Sequence, residues 1–347
     1  MGEENFDASL ICVATWDETD GFREDGVVQV AEQLATAASK YELISIESTV
    51  SVGTAGKVVR PIFDRAGWNV GKDIFIVTSP ERVDLTMDWE LRDIPKLVGG
   101  VTPGCTVRGL EVYRTMGMHV VPVENSAIAE AAKLMENAFR LVNISFANEM
   151  ADILEASDIH AESVIAAAAS KPFGFLPFLP SAGAGGPCVP AAGRAIEALA
   201  RSVKTAVPTI AAANRSNQNS PGRVLARLKD RGLQRGSSLL VMGATYKSYT
   251  SALTESPGIR LANHLAEQGY AVTLTDPHEV PKGLLLPGVR YCAPAVIKGT
   301  FAAVCISAWH DEFSNLASVL ESSIVLDYVS SALKVKRPAR LAAVSVP

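Results

Sequence analysis

A chain of 347 residues is longer than one ordinary hydrophobic core supports, so its length predicts at least two domains. With 48% hydrophobic residues and a net charge of −5, it reads as globular, with no electrostatic reason to bind nucleic acid. Five cysteines without CxxC spacing and five histidines without ligand spacing argue against a disulfide framework and a metal site. Without a signal-peptide pattern or an apolar run of about 18 residues, we expect a cytoplasmic protein.

The first third of the chain alternates short apolar runs with helical spacing. This alternation predicts a parallel α/β sheet over residues 1–124. A helix is predicted over 27–40, between the first two strands. The predicted strands are 9–15, 42–47, 73–78 and 119–123.

The composition changes at Asn125, where glycine and proline become rare. Ser126, with Glu130 nearby, suits the start of a helix over 126–157 of about 45 Å, which could link two domains and offer a dimer face. Helices are also predicted over 159–169 and 194–214. A central helical domain is therefore expected over 125–215.

The polar segment 216–222 predicts a boundary, after which a second α/β domain is expected over 216–347. A helix over 259–268 would end at Gly269, a common stop signal. The predicted strands of this domain are 238–242, 271–275, 302–306 and 323–327.

The most informative stretch is the loop from Pro180 to Ala192, which joins a glycine run to Cys188. Glycines let a backbone approach a ligand closely, and a thiol there could attack a carbonyl carbon. A glycine-rich surface turn with a buried, inert cysteine is the alternative interpretation.

Six short motifs are spread in order over nearly the whole chain. Besides the cysteine loop, they are Glu47-Ser-Thr-Val-Ser-Val-Gly53, Ser79-Pro-Glu-Arg82, Lys96-Leu-Val-Gly-Gly100, Ala129-Glu-Ala-Ala-Lys133 with Asn137, Arg140, Asn143 and Asn148-Glu149, and Gly243-Ala-Thr-Tyr-Lys247 through Glu255-Ser-Pro257. Together these motifs resemble the UDP-glucose/GDP-mannose dehydrogenase family of nucleotide-sugar dehydrogenases.

The resemblance implies oxidation of a sugar C6 alcohol to a carboxylate with two hydride transfers to NAD. In such an enzyme Cys188 would trap the intermediate aldehyde. Lys133 and Asn137 would stabilise the developing alkoxide. Glu81 would be the general base for thioester hydrolysis, and Thr49 would order the water. Without the resemblance, Lys133 and Asn137 would be interpreted as a solvated helix face. Glu81 would be a loop carboxylate, and Thr49 would be a cap at the end of a strand.

Binding residues follow from the same resemblance. Lys247 would contact the sugar nucleotide, and the loop glycines would let the backbone meet the hexose. The implied substrate-binding residues are Phe178, Ser181, Gly183, Gly185, Gly186 and Lys247. Remnants of a cofactor site would be Thr15, Thr49 and Glu81.

Three departures from the family pattern shape the expected function. No strand with a G-x-G-x-x-G turn precedes the strand at 9–15, so the NAD-binding domain is expected to be truncated. Ala192 stands where the family usually has an aspartate, and Thr254 where it often has an arginine.

These departures predict a diverged homologue with a truncated N-terminal Rossmann-like domain, a central helical dimerisation segment and a C-terminal Rossmann-like domain. It would bind a UDP-sugar, need no cofactor by itself and not oxidise the sugar alone. A working NAD-dependent dehydrogenase, completed by a longer start or a partner chain, is the alternative. A second alternative is a non-catalytic scaffold partner of an intact paralogue.

Two kinds of protein partner are also expected. One is a second copy of the chain in a homodimer, and the other is a partner that covers the edge strand at 9–14.

Overall fold

A computed structural model describes residues 6–17, 21–83, 90–320 and 324–329 of the chain. The chain divides into two compact units. One unit contains the chain up to Phe139 together with Ala191–Ile210, and the other contains Arg140–Pro190 together with the chain from Ala211 onward.

The first unit contains a five-stranded sheet in the order β1-β4-β5-β6-β7. Its pairs are parallel except that β6 runs antiparallel to β5. Within the described residues β1 pairs only with β4, so it is an edge strand, as the sequence predicts. The strands are β1 (Ala8–Ile11), β4 (Leu43–Ile46), β5 (Phe75–Thr78), β6 (Lys96–Gly100) and β7 (Val120–Pro122), and a small ribbon is formed by β2 (Trp16–Asp17) and β3 (Gly21–Phe22).

Buried strands and three helices build the core of this unit. All four residues of β4 are buried, as expected for a parallel strand covered on both faces. The side chain of Thr102 accepts the N–H of Cys105 and so caps the helix that begins at Pro103. The helices are α1 (Asp25–Ala37), α2 (Arg60–Arg65), which follows a π-helical turn over Ala55–Val59, and α3 (Pro103–Thr115).

The long predicted helix is present as α4 (Ser126–Glu155), with 30 residues. Its cap differs from the prediction, because Asn125 Oδ1 accepts the N–H of Ile128 at 3.1 Å. The buried Glu130 instead points towards the turn before the π-helical segment. None of the helices in the described part of the chain combines the length and apolar character that a membrane span needs.

The predicted helix over 194–214 is wrong in its extent, since the chain forms two helices there. Lys204 has φ = 56°, and Pro208 starts the next helix, where its missing N–H costs nothing. The segment 216–222, where a domain boundary is predicted, is largely helical, with Pro221 in the first turn of a new helix. These helices are α5 (Ala161–Ala169), α6 (Val189–Ser202), α7 (Pro208–Gln218) and α8 (Ser220–Asp230).

The second unit contains a fully parallel five-stranded sheet in the order β10-β9-β8-β11-β12. The strand order reverses direction beside β8, so the carboxyl end of β8 is a topological switch point where α/β sheets bind ligands. The elements are β8 (Ser238–Met242), α9 (Pro257–Glu267), β9 (Ala271–Thr275), β10 (Val289–Cys292), β11 (Ala303–Ile306), α10 (Ala317–Leu320) and β12 (Ile324–Asp327).

Candidate active site

The predicted site residues of the first unit include three that follow the carboxyl ends of strands. Thr15 comes after β1, Thr49 after β4 and Glu81 after β5. The Thr15 hydroxyl donates to the backbone oxygen of Thr49 at 2.7 Å, which joins two of these segments. Carboxyl ends of neighbouring strands meet at one edge of a sheet, which is where α/β proteins bind nucleotides.

Glu81 has both carboxylate oxygens in defined contacts. Its Oε1 accepts the backbone N–H groups of Arg82 and Val83, each at 2.7 Å. Its Oε2 lies 3.2 Å from Nζ of Lys96. Burial raises the pKa of Glu81, but the Val83 N–H and the Lys96 ammonium outweigh it and hold the pKa below its ordinary value. The group is therefore a carboxylate at neutral pH.

Lys133 and Asn137 lie one turn apart on α4 and share a face of the helix. Asn137 is 6% exposed, and its side-chain Nδ2 is buried with no hydrogen-bond partner in the described part of the structure. Buried amide donors are almost always paired, so an unpaired one indicates a ligand acceptor or a functional constraint. This pair can supply one positive charge and one neutral donor.

Sequence reasoning treated Glu130 only as a helix-start signal, whereas the structure gives it a contact role. Its carboxylate accepts the N–H groups of Gly53 and Ala55 and the hydroxyl of Thr78. Burial raises the pKa of Glu130, although these donors oppose the shift. Glu130 therefore ties α4 to the turn that follows Thr49.

Ala192 is fully buried in an apolar cluster of the first unit, with Leu134 and Ala195 as its buried neighbours. The partly buried side chains that pack against this cluster, Phe22, Val52 and Ile196, are apolar as well. The alanine that departs from the family pattern is therefore consistent with its surroundings.

The glycine loop of the second unit is held by its own packing. A Cβ on Gly183 would lie 2.5 Å from Ser220 Oγ, one on Gly185 would lie 2.6 Å from Pro257 Cδ, and one on Gly186 would lie 2.8 Å from the Tyr246 ring. Gly183 and Gly186 also have positive φ values of 132° and 82°. Close packing thus requires these glycines, while their contact with a hexose stays a prediction.

Two amide side chains for which the sequence predicted no role, Asn148 and Asn217, fix the loop backbone. Asn148 Oδ1 accepts the N–H of Ser181 at 2.7 Å. Asn217 donates to the carbonyl of Ala184 and accepts its N–H, at 3.0 and 2.7 Å. An asparagine in a helix gives no sequence signal for such a role, because the partner backbone is over 30 residues away.

Cys188 ends the loop and directly precedes α6. The thiol is free, and the residue is only partly buried. The amino end of a helix favours negative charge, because unpaired N–H groups point out of it. Phe178 lies earlier in the same loop and is partly buried.

The segment after β8 carries Lys247, whose Nζ lies 5.4 Å from the centre of the Tyr246 ring. Thr254, where the family often has arginine, accepts the N–H of Gly186 through its backbone oxygen at 3.0 Å. The side chain of Thr254 is therefore not what joins this segment to the loop.

Asp276 and His310 position the segment after β8, and sequence spacing did not bring them together. Asp276 accepts the N–H groups of Ala244 and Thr245 at 2.7 and 3.2 Å. His310 Nε2 lies 2.8 Å from the Thr245 hydroxyl and 3.4 Å from Asp276 Oδ2. With His278, these residues place three potential ligand atoms within 4.8 Å of one another. The side chains of Asp276 and His310 are already engaged in these contacts, so we interpret the group as a support for the loop.

Comparison with known proteins identifies the class. Residues 2–117 match the NAD binding domain of the UDP-glucose/GDP-mannose dehydrogenase family, residues 127–219 its central domain and residues 240–332 its UDP binding domain. The chain belongs to this family of nucleotide-sugar dehydrogenases. The resemblance read from the sequence motifs is confirmed, as are the two Rossmann-like domains and the central helical segment.

Individual relatives are similar along most of the chain. A UDP-N-acetyl-D-glucosamine 6-dehydrogenase of Pseudomonas aeruginosa is 27% identical over 84% of this chain and 71% of its own. A UDP-N-acetyl-D-mannosamine dehydrogenase of Methanococcus maripaludis is 28% identical over 90% of this chain and 71% of its own. The structure of UDP-N-acetyl-mannosamine dehydrogenase from Staphylococcus aureus superposes with a TM-score of 0.77 at 28% identity, covering 94% and 78% of the two chains.

These findings correct two predictions. A truncated NAD-binding domain is wrong, because the NAD binding domain matches over residues 2–117. The expectation of a chain without a cofactor that cannot oxidise its substrate is therefore wrong as well. One glycine turn is a local motif, and its absence does not remove a whole domain. The domain has its own five-stranded sheet and buried core, which a local motif does not report.

Proposed function

We propose that the protein is an NAD-dependent dehydrogenase that oxidises the C6 alcohol of a UDP-sugar to the uronate. The observation that carries this proposal is the buried, unpaired amide of Asn137 on the same helix face as Lys133. A fixed cation and a fixed donor suit an oxygen that gains negative charge during the reaction. The match to the family's NAD and UDP binding domains supports the same conclusion.

The residues present fit part of an NAD site. Thr15, Thr49 and Glu81 follow the carboxyl ends of three neighbouring strands, and the Thr15–Thr49 hydrogen bond fixes two of these segments together. They would hold the cofactor, which accepts one hydride in each of two successive oxidations.

Between the two oxidations, the Cys188 sulfur would attack the aldehyde carbon and form a carbon–sulfur bond. The carbonyl oxygen becomes an alkoxide, which Lys133 and Asn137 would stabilise. The second oxidation would leave a thioester on Cys188. Water would then add to the thioester, and the thiolate would leave as the carboxylate forms.

Glu81 would take the proton of that water, with Thr49 ordering it. The Glu81 carboxylate is half-exposed and ionised, as a base must be. Because Ala192 is buried among apolar side chains, no carboxylate at that position shares the task.

The substrate would lie along the loop of Ser181, Gly183, Gly185 and Gly186, with Lys247 meeting the nucleotide sugar. Asp276 holds the backbone N–H of Thr245, and His310 contacts its hydroxyl. These two contacts would fix the position of Lys247, two residues further along the chain. Relatives named as UDP-N-acetylhexosamine dehydrogenases make those sugars the first to test.

The test is a spectrophotometric assay of NADH formation with UDP-N-acetylglucosamine, UDP-N-acetylmannosamine, UDP-glucose and GDP-mannose. We expect two NADH per uronate with one UDP-sugar. The Cys188→Ser variant should bind the same sugar in a thermal-shift assay but form no uronate. Absence of NADH with every sugar at saturating NAD, or full uronate formation by Cys188→Ser, would contradict the proposal.

We also infer a homodimer through α4. Its exposed apolar side chains recur at nearly heptad spacing, as an interface between helices requires. The stripe consists of Ile128, Met135, Phe139, Phe146 and Ile153. Light scattering after gel filtration should give twice the monomer mass, and Phe146→Glu should reduce it to the monomer.

The edge strand β1 supports a covering partner for residues 9–14. Leu10 is 44% exposed, and an apolar edge strand is an association hazard. Slow amide exchange there in dilute protein would support a cover, and fast exchange would oppose it. We further propose the domain division 1–124, 125–215 and 216–347.

A further inference from the structure

A chain of polar contacts connects the inside of the first unit to Glu81. The hydroxyl of Tyr113 contacts Glu47 Oε1, and the other oxygen of Glu47 contacts Nζ of Lys96. Nζ of Lys96 in turn lies 3.2 Å from Glu81 Oε2. Ser45 closes the inner end, with its hydroxyl 2.7 Å from Tyr113 and 3.1 Å from Glu47.

The inner part of this chain is buried and the outer end is not. The side chains of Lys96 and Glu47 are 11% and 7% exposed, whereas that of Glu81 is 50% exposed. Tyr113 is 1% exposed, and burial together with Glu47 raises its pKa, so the phenol keeps its proton and can donate. A buried ammonium needs a fixed partner, and Glu47 is that partner.

These contacts define where a further molecule can bind to Glu81. A carboxylate offers about four lone-pair sites. Oε1 uses two for the N–H groups of Arg82 and Val83, and Oε2 uses one for Lys96. Among contacts with the described residues, the remaining site is on Oε2, at the exposed end of the chain of contacts. One water can therefore donate to the carboxylate there.

We propose that Lys96, held by Glu47 and Tyr113, is a positioning residue that directs one oxygen of Glu81 at the hydrolytic water and keeps that carboxylate ionised. This inference rests on the proposed function, in which Glu81 is the general base. Lys96 touches neither the sugar nor the cofactor in this role and acts through Glu81 alone.

Two other ionisable groups near Glu81, Arg82 and Cys12, form no ion pair with it in the described part of the chain. The Arg82 guanidinium turns away to the Pro95 carbonyl and Glu136, at 2.7 Å each. Cys12 lies near enough that burial, Glu47 and Glu81 raise its pKa while Lys96 lowers it, so it stays a neutral thiol. Lys96 is thus the cation that ion-pairs with Glu81 within the described part of the chain.

The test measures the titration of Glu81 directly and the pH dependence of acid formation separately. Carbon-13 NMR of glutamate-labelled full-length protein, with the signal assigned by Glu81→Gln, gives the titration midpoint. Lys96→Met should raise it by about one unit or more, since an opposite charge within about 4–6 Å shifts a carboxyl by about 1–3 units. Lys96→Arg should restore a low midpoint, and Lys72→Met, at an exposed site, should leave it unchanged.

The rate of uronate formation is also measured as a function of pH. In Lys96→Met, the acidic limb of this pH–rate profile should move to higher pH by as much as the NMR midpoint of Glu81 does. If that variant folds poorly because Glu47 is left unpaired, the double variant Glu47→Gln/Lys96→Met removes both charges and is measured in its place. An unchanged Glu81 midpoint in either folded variant overturns the proposal. A shifted midpoint with an unmoved limb also overturns it, because Glu81 is then not the base. If wild type forms no uronate, the proposed function fails, while the NMR midpoint still decides whether Lys96 sets the ionisation of Glu81.

Discussion

Glu130 Oε1 accepts the N–H of Ala55 at 2.9 Å, and the same carboxylate accepts the N–H of Gly53. A side chain on the central helix thereby fixes the turn that follows Thr49, 75 residues earlier. The relationship connects the helix of Lys133 and Asn137 to the strand ends of the sheet.

Replacing Glu130 with alanine should destabilise the protein by about 2–4 kcal/mol. Two buried N–H groups lose a charged acceptor, and each such bond contributes about 1.5–3 kcal/mol, offset by the burial that raises the pKa of Glu130. Urea unfolding measures the change. Glu149→Ala, exposed on the same helix, is the control and should change stability by less than about 0.5 kcal/mol. Equal stability of the two variants would contradict the role of Glu130.

Restoring the family aspartate at position 192 should cost stability and add no activity. Ala192 is fully buried and packs with Leu134 and Ala195, so a carboxylate there would be desolvated among apolar side chains. We expect Ala192→Asp to lose about 2–5 kcal/mol of unfolding free energy. Ala166→Asp, on the exposed side of α5, serves as the matched control. A faster or equally stable Ala192→Asp protein would show that the apolar cluster can admit a charge.

The Asn137→Ala variant should separate activity from stability. Loss of a donor to a developing oxyanion lowers kcat by about 10²–10³-fold. The unfolding free energy should change by under about 1 kcal/mol, since Nδ2 of Asn137 has no hydrogen-bond partner to lose among the described residues. Steady-state assays and urea unfolding on the same preparation give both values. A large loss of stability with unchanged kcat would make Asn137 structural.

The contribution of Asp276 to stability should depend on pH. Burial raises the pKa of Asp276, but hydrogen bonds from His310 and the backbone of His278 and Ala244 outweigh it and lower the pKa below its ordinary value. A lowered pKa means that the stabilisation is present above about pH 3.9 and is lost as pH falls towards the folded-state pKa. Asp276→Asn should thus be clearly less stable than wild type at pH 7. The gap should narrow in urea unfolding below about pH 4, and a constant gap would refute this.

The Gly186→Ala substitution tests the close approach of the loop to Tyr246. Gly186 has φ = 82°, and a Cβ there would lie 2.8 Å from the ring. The backbone conformation costs an alanine roughly 1 kcal/mol, and overpacking adds about 1–3 kcal/mol. Gly232→Ala, with φ = 92° and open space around its Cβ, carries only the first cost. Similar thermal shifts for both variants would mean that the ring moves aside freely.

Periodicity and composition located most strands and the long helix α4, because those patterns are local. They could not place the break between α6 and α7, where Lys204 adopts a left-handed backbone and Pro208 starts a new helix. Nor could they show that the loop glycines leave the space that Tyr246, Pro257 and Ser220 fill. Those contacts join residues far apart in the chain.

The motifs in their order determined the family, the cysteine loop and the positions of Lys133, Asn137 and Glu81, since each is a short pattern with a chemical reason. The tertiary structure decided what surrounds them. Lys96 and Glu81 are 15 residues apart, and Lys96 and Glu47 are 49 apart, so their ion pairs exist only once β4, β5 and β6 are side by side. The charge and partners of a side chain depend on neighbours in space, and folding alone brings those neighbours together.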